Sequence, residues 1–270
     1  MKSLLLRAGG LVRSFPARGP VLRYVEIHLT DHSNLNCRGC GHFSPVATQW
    51  FAGLGRLSAD LVRLSQLFSN IETIRLMGGE PLLHAGAAEA MAIARRSFPR
   101  AGIRLVTNGI LLPRVSQDFW QACKNNEVTV DVTRYPIPLD FAAIRRLAEQ
   151  NGVRIAISAE CGGSVSFLNL KGDSDPCTTM RNCRSQWYCP FLQDGVLHVC
   201  AMPATVHYFN DRFSTAIPSE GGIDIHARGV TGRRILSWLE RPAPACRYCR
   251  TEYGTFPWAP SKREIGKWEA

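Results

Sequence analysis

Between residues 21 and 157 the chain alternates. Runs with strand periodicity are followed by loops of polar or glycine residues and then by apolar positions at helical spacing. Val21 to Leu29 (V-L-R-Y-V-E-I-H-L) reads as the first strand, and Ser58 is expected to cap a helix carrying Leu61, Leu64, Leu67 and Phe68 on one face. Ile71 to Met77 reads as the second strand, and a helix over about 87–98 follows with Ala90, Ile93, Ala94 and Phe98. Ile103 to Val106 is the third strand, before a helix marked by Phe119 and Cys123; Val128, Val130 and Val132 alternate in the fourth. Asp140 caps a helix with Phe141, Ile144, Leu147 and Ala148, which Asn151-Gly152 ends before Val153, Ile155 and Ile157. Such alternation predicts an α/β fold with right-handed crossovers and a parallel sheet, open or rolled into a partial barrel. Chemistry then belongs at the carboxyl ends of the strands.

The distinctive residues fall at those ends. Thr30 to Pro45 (T-D-H-S-N-L-N-C-R-G-C-G-H-F-S-P) follows the first strand and brings Cys37 and Cys40 as a ligand pair. Gly78-Gly79-Glu80 follows the second, Thr107-Asn108-Gly109 the third, Asp131 to Tyr135 closes the fourth, and Cys161 follows the fifth. Beyond Cys161 the alternation stops and glycine, cysteine, proline and aromatic residues dominate, with a hairpin-like run at Gly195 to Val199. The expected organisation is an N-terminal extension over 1–20, a barrel over 21–160, a linker over 161–180 and a smaller domain over 181–270.

Composition narrows the function. Arg7 and Arg13 interrupt any signal-peptide core and no apolar run approaches the roughly 20 residues that span a bilayer, so a cytoplasmic protein with no membrane partner is expected. In a reducing compartment ten cysteines are metal ligands, reactive thiols or buried small residues before they are disulfides. The formal charge of +10 is spread in arginine pairs without a basic run, which argues against a nucleic-acid partner.

In this order the motifs resemble the radical S-adenosylmethionine (radical SAM) superfamily over Tyr24 to about Ala159. The resemblance implies a partial (β/α)6 barrel in which three thiolates hold a 4Fe-4S cluster and leave one iron open to SAM. It implies reductive cleavage of SAM to a 5′-deoxyadenosyl radical and hydrogen abstraction from a substrate carbon. Cys37 and Cys40 match the second and third cluster thiolates; Gly78, Gly79 and Glu80 match the turn that meets the SAM amino group. Thr107, Asn108, Asp131 and Arg134 lie where the family contacts the same ligand. Two departures stand out. Gly39 replaces an aromatic residue, and Ser33 occupies the position of the first thiolate, where an alkoxide would be a harder and more basic ligand. An introduced substitution, a natural variant with altered cluster binding, or loss of radical activity would each account for Ser33. Asp31, His32 or His42 would need a different loop path to replace it.

A second cysteine set, Cys183, Cys200, Cys246 and Cys249 around Gly195, resembles the Twitch domain, the shorter relative of SPASM, and implies an auxiliary 4Fe-4S cluster. A structural zinc site is the alternative reading of those thiols. Cys189 could be an alternate ligand, a spare thiol or a hydrogen donor, and Cys161 could quench a substrate radical or be inert. Cys123 reads as core, and the aromatics Tyr248, Tyr253, Phe256 and Trp258 as either a substrate cleft or packing around a cluster. The branch that N-x-x-C-x-G-C-G-H-F-S-P resembles points to epimerisation or dehydrogenation of a sugar or aminocyclitol, served by an electron donor such as flavodoxin or ferredoxin. A peptide-modifying maturase and a non-catalytic iron-sulfur or zinc protein are the alternatives.

Overall fold

A computed structural model describes residues 19–161 and 163–268, so most of the extension expected over 1–20 lies outside the described residues. The predicted alternation is realised as β1 (Val21–Thr30), α1 (Leu54–Leu67), β2 (Asn70–Gly78), α2 (Ala87–Ser97), β3 (Gly102–Thr107), α3 (Gln117–Asn125), β4 (Thr129–Val132), α4 (Phe141–Gln150) and β5 (Ile155–Ile157). The five strands pair in parallel, each with its sequence neighbour. Asp140 caps α4 as expected, its carboxylate accepting the Ala143 N–H at 2.8 Å. Ser58 does not cap α1. That helix begins four residues earlier, at Leu54, with extended Gly53 at its N-cap and no side-chain bond, because burial of Leu57 lets its apolar face start before the serine.

The chain beyond β5 departs from the expected layout. Residues 161–180, expected as a linker, carry β6 (Gly163–Leu168) and the start of α5 (Pro176–Gln186). Then come β7 (Phe191–Gln193), β8 (Val196–His198), α6 (Ala201–Phe213), β9 (Gly222–Asp224), α7 (Gly232–Leu239) and β10 (Cys249–Pro257). β7 runs parallel to β1, so the sixth parallel strand of the partial barrel lies beside the first and not beyond the fifth. The resulting eight-stranded order is β5-β4-β3-β2-β1-β7-β8-β9, while β10 and β6 form a separate antiparallel pair.

The two faces of the sheet differ. Val25, Ile27, Ile74, Leu76, Ile103 and Leu105 share the core with Leu61 and Leu64 of α1 and with Ala90 and Ala94 of α2. Their alternates, Glu26, Arg75 and Arg104, stand in register on the opposite face, with Met77, Val106 and Asp131 one step further toward the carboxyl ends. A second apolar cluster joins Phe43 of the cysteine loop to Met202, Val206 and Phe209 of α6 and to Trp268. Among the described residues no helix is long and apolar enough to cross a membrane.

Candidate functional site

Three anchors hold the loop that carries Cys37 and Cys40 away from β1. At its start the buried Asp31 carboxylate accepts His28 Nδ1–H at 2.5 Å, Gln193 Nε2–H at 3.0 Å and the Tyr208 hydroxyl at 2.9 Å. Burial alone would raise the Asp31 pKa, but these three donors outweigh it and hold the group below the usual carboxylate range. At the far end Phe43, fully buried, packs against Phe209 with its backbone at φ 53°, a region aromatic residues seldom occupy. Burying such a ring stabilises by about 2 kcal/mol, enough to offset strain of that order.

The third anchor comes from the end of the chain. Ser261 donates its N–H to the Asn36 carbonyl at 2.8 Å, and Asn36 Nδ2 donates back to the Ser261 carbonyl at 2.7 Å. The Arg38 N–H reaches the Ala259 carbonyl at 2.9 Å, and the Arg38 guanidinium lies 4.4 Å from the centre of the Phe256 ring. Trp258 Nε1 donates to the sulfur of Cys37 at 3.3 Å, and Trp268 Nε1 donates to the Cys40 carbonyl at 3.0 Å. Phe256 covers Gly39, where any Cβ would come within 2.5 Å of the ring.

The glycine turn after β2 packs backbone on backbone against this loop. Gly79 donates its N–H to the Thr30 carbonyl at 2.8 Å, and Glu80 donates to the His32 carbonyl at 3.0 Å. A Cβ on Gly78 would stand 2.0 Å from the Thr30 oxygen, and one on Gly79 2.1 Å from the His32 oxygen. The close approach that excludes side chains here is to the cysteine loop itself. Glu80 is fully buried and turned to the neighbouring loop: it accepts the Thr107 hydroxyl at 2.7 Å, the Asn108 N–H at 2.9 Å and the Leu82 N–H at 3.1 Å. Burial pushes its pKa up to about 7 against the pull of those three donors.

Between loop and turn lies a cavity of about 210 Å³. Ser33, Cys37 and Cys40 line one side, and Gly78, Gly79 and Asn108 line the other. Thr107 also reaches it, whereas Glu80 stands behind. Burial pushes the Cys37 thiol up to about 12, so the pocket lining favours a neutral thiol and a bound metal is what would ionise it. The Ser33 hydroxyl accepts the Leu35 N–H at 3.0 Å. Of the residues weighed as its replacement, Asp31 is committed to His28, Gln193 and Tyr208, and His32 bonds the Thr30 hydroxyl at 2.7 Å. His42 does line the cavity, edge-on to His28 at 4.9 Å, with burial lowering its pKa to about 3.

Asp131 and Arg134 do not line it. Asp131 takes a bidentate pair from Arg104 at 2.5 and 2.7 Å, and Arg134 extends over Phe141 toward Glu160. Cys161 lies near enough to act on Cys37 electrostatically, although its own thiol donates to the Gly163 carbonyl at 3.2 Å. Sequence reasoning passed over Arg75, Met77 and Tyr135, which also line the cavity. The available signal was Arg75, a cation between the buried apolar residues Ile74 and Leu76. Its guanidinium donates to Tyr24 at 2.9 Å and lies 3.8 Å from Glu26.

The second cysteine set is gathered elsewhere. Burial raises the pKa of Cys183 in α5, of Cys200 at the start of α6, and of Cys246 and Cys249 around Tyr248; neighbouring thiols, Cys183 among them, raise the last three further, and Cys189 is raised by burial and then by Cys200 and Cys183. Cys123 is buried against Met91 and Cys177 is exposed. Among the described residues, no three His, Cys, Asp or Glu side chains are drawn together tightly enough to hold a single metal ion.

No family model matches the chain. Among curated proteins it is 27% identical over 197 residues to GTP 3′,8-cyclase 2 of Mycobacterium tuberculosis (strain CDC 1551 / Oshkosh), covering 66% of this chain and 52% of that one. It is 34% identical over 197 residues to GTP 3′,8-cyclase of Mycobacterium marinum, covering 64% and 52%. The chain thus spans about half the length of these relatives. Among solved structures it superposes on BtrN in complex with AdoMet and 2-DOIA with a TM-score of 0.52 and 15% identity, covering 86% of this chain and 94% of that one. Likeness in sequence to the cyclases and in fold to an AdoMet-bound protein accords with the resemblance of the motifs to the radical SAM superfamily.

Proposed function

We propose that this chain binds a 4Fe-4S cluster and SAM at the cavity between the cysteine loop and the glycine turn, and uses them to abstract hydrogen from a small polar substrate. The observation that carries the reading is that Cys37, Cys40 and Ser33 line one side of a single cavity and Gly78, Gly79 and Asn108 the other. The donor set fits a cluster: two thiols three residues apart, a third position at Ser33, and no side chain on the facing turn. When bound, cluster and SAM supply one-electron cleavage of a sulfonium bond and, through it, hydrogen abstraction. The residues of the chain do the rest. The cavity-lining edge of the Gly78-Gly79 turn would take the amino acid end of SAM, and Asn108 is held for it by Glu80 and by Asn34, which accepts from Asn108 Nδ2 at 2.7 Å.

The inner barrel wall supports an uncharged or amino-bearing polyol. Glu26 offsets Arg75 and Asp131 offsets Arg104, so the wall offers donors and acceptors with its charges paired. A triphosphate such as the substrate named for the cyclase relatives calls for uncompensated cations, which this wall lacks among the described residues. Epimerisation or dehydrogenation of a sugar or aminocyclitol is the reaction we favour, with an electron donor such as flavodoxin or ferredoxin supplying the reducing electron. The five neighbouring thiols support an auxiliary cluster held by Cys183, Cys200, Cys246 and Cys249, with Cys189 as alternate ligand, in a Twitch-like unit over 181–270 whose strands β7 to β9 continue the barrel sheet. Cys161 and Cys189 are the candidate hydrogen donors. Anaerobic reconstitution followed by assay of iron, sulfide and 5′-deoxyadenosine tests the reading; zinc in place of iron would sink it.

A further inference from the structure

We infer that Trp258 is a positioning residue of the cluster site, one that donates its indole N–H to the Cys37 sulfur and raises the reduction potential of the cluster held there. The inference rests on the cluster reading above. An indole has a donor and no acceptor, and this one, half-buried, spends its donor on a sulfur 221 residues away in sequence, at 3.3 Å. A neutral thiol accepts weakly, but a metal-bound thiolate carries charge and accepts strongly. Adding an electron to a cluster increases the negative charge on its sulfurs. A fixed N–H donor therefore stabilises the reduced form more than the oxidised one, and the potential rises.

The backbone around the indole holds the donor in place. Cys37 and Pro260 form an antiparallel bridge two residues from the indole, and Arg38 N–H to Ala259 and the reciprocal Asn36–Ser261 bonds close the same short ladder. The Tyr135 ring lies 5.9 Å from the indole ring, on its cavity side. Trp268 marks the contrast. Its indole, fully buried, bonds a backbone carbonyl and has a packing role, whereas Trp258 addresses a ligand atom.

The test uses the full chain and its Ser33→Cys form, each with and without Trp258→Phe, reconstituted anaerobically. Midpoint potentials are read by electron paramagnetic resonance, and protein labelled with 15N-indole tryptophan is examined for hyperfine coupling to the reduced cluster. The expected result is a 15N coupling that survives Trp187→Phe and is lost in Trp258→Phe, with a midpoint shifted to more negative potential at equal iron content. An unchanged midpoint, or a reduced cluster without indole coupling in the labelled parent, would overturn the proposal even if the variant fails to assemble. Iron content and SAM cleavage in the same samples report on the cluster reading. No cluster in any form would overturn that reading and this inference together, while a SAM-cleaving cluster indifferent to Trp258 would overturn this inference alone.

Discussion

Glu80 accepts the backbone N–H of Asn108 at 2.9 Å and so ties the turn after β2 to the loop after β3. It takes two further donors, from Thr107 and Leu82, while fully buried. Its folded-state pKa of about 7 lies above the ordinary value of 4.5, so its contribution is most favourable below that ordinary value and is lost as pH rises through 7. From this group alone the chain should lose roughly 3 kcal/mol between about pH 4 and 8. Urea unfolding across that range checks it. Glu80→Gln should flatten the slope while costing about 1–3 kcal/mol at pH 5 for the acceptor it loses.

Gly79→Ala should destabilise by roughly 1–3 kcal/mol or more, because its Cβ would meet the His32 carbonyl at 2.1 Å and backbone cannot yield as a side chain does. The same denaturation assay reads the cost. Iron retention after reconstitution should fall in parallel, since what moves is the cysteine loop.

Asp31→Asn tests the first anchor. The folded-state pKa of Asp31 is depressed, so its contribution is present above the unfolded value and lost as pH falls through the folded one. Neutralising it should cost roughly 3 kcal/mol at pH 7 and progressively less as pH falls below the unfolded carboxylate value, because an amide cannot accept from His28, Gln193 and Tyr208 together. A cost independent of pH would contradict the assignment.

Much of this was legible in the chain. Each parallel strand of residues 21–157 announces itself by alternation, and each special residue follows a strand, because a βαβ unit is written in consecutive sequence. The start of α1 was misplaced because Gly53 caps without a side chain. That β7 pairs beside β1 was not readable, since three residues in a glycine-rich and cysteine-rich region carry no signal of their distant partner. The contacts of Trp258 and Phe256 with the cysteine loop were hidden for the same reason, and the aromatics of the tail gave only their composition. The expectation that Glu80 meets SAM comes from the family resemblance of Gly78-Gly79-Glu80; nothing local in the sequence reveals that Thr107 and Asn108 also bond its carboxylate.

The central claim is that the cavity beside Cys37 and Cys40 is built for a SAM-cleaving cluster with Ser33 in place of its first thiolate. The most direct measurement compares the chain with Ser33→Cys after identical reconstitution, counting iron and sulfide and following 5′-deoxyadenosine. The predicted result is about eight irons and SAM turnover for the cysteine form, as two four-iron clusters require, and fewer irons with little turnover for the chain itself. Equal turnover in both would contradict the ligand role given to position 33, and no turnover in either would contradict the claim itself.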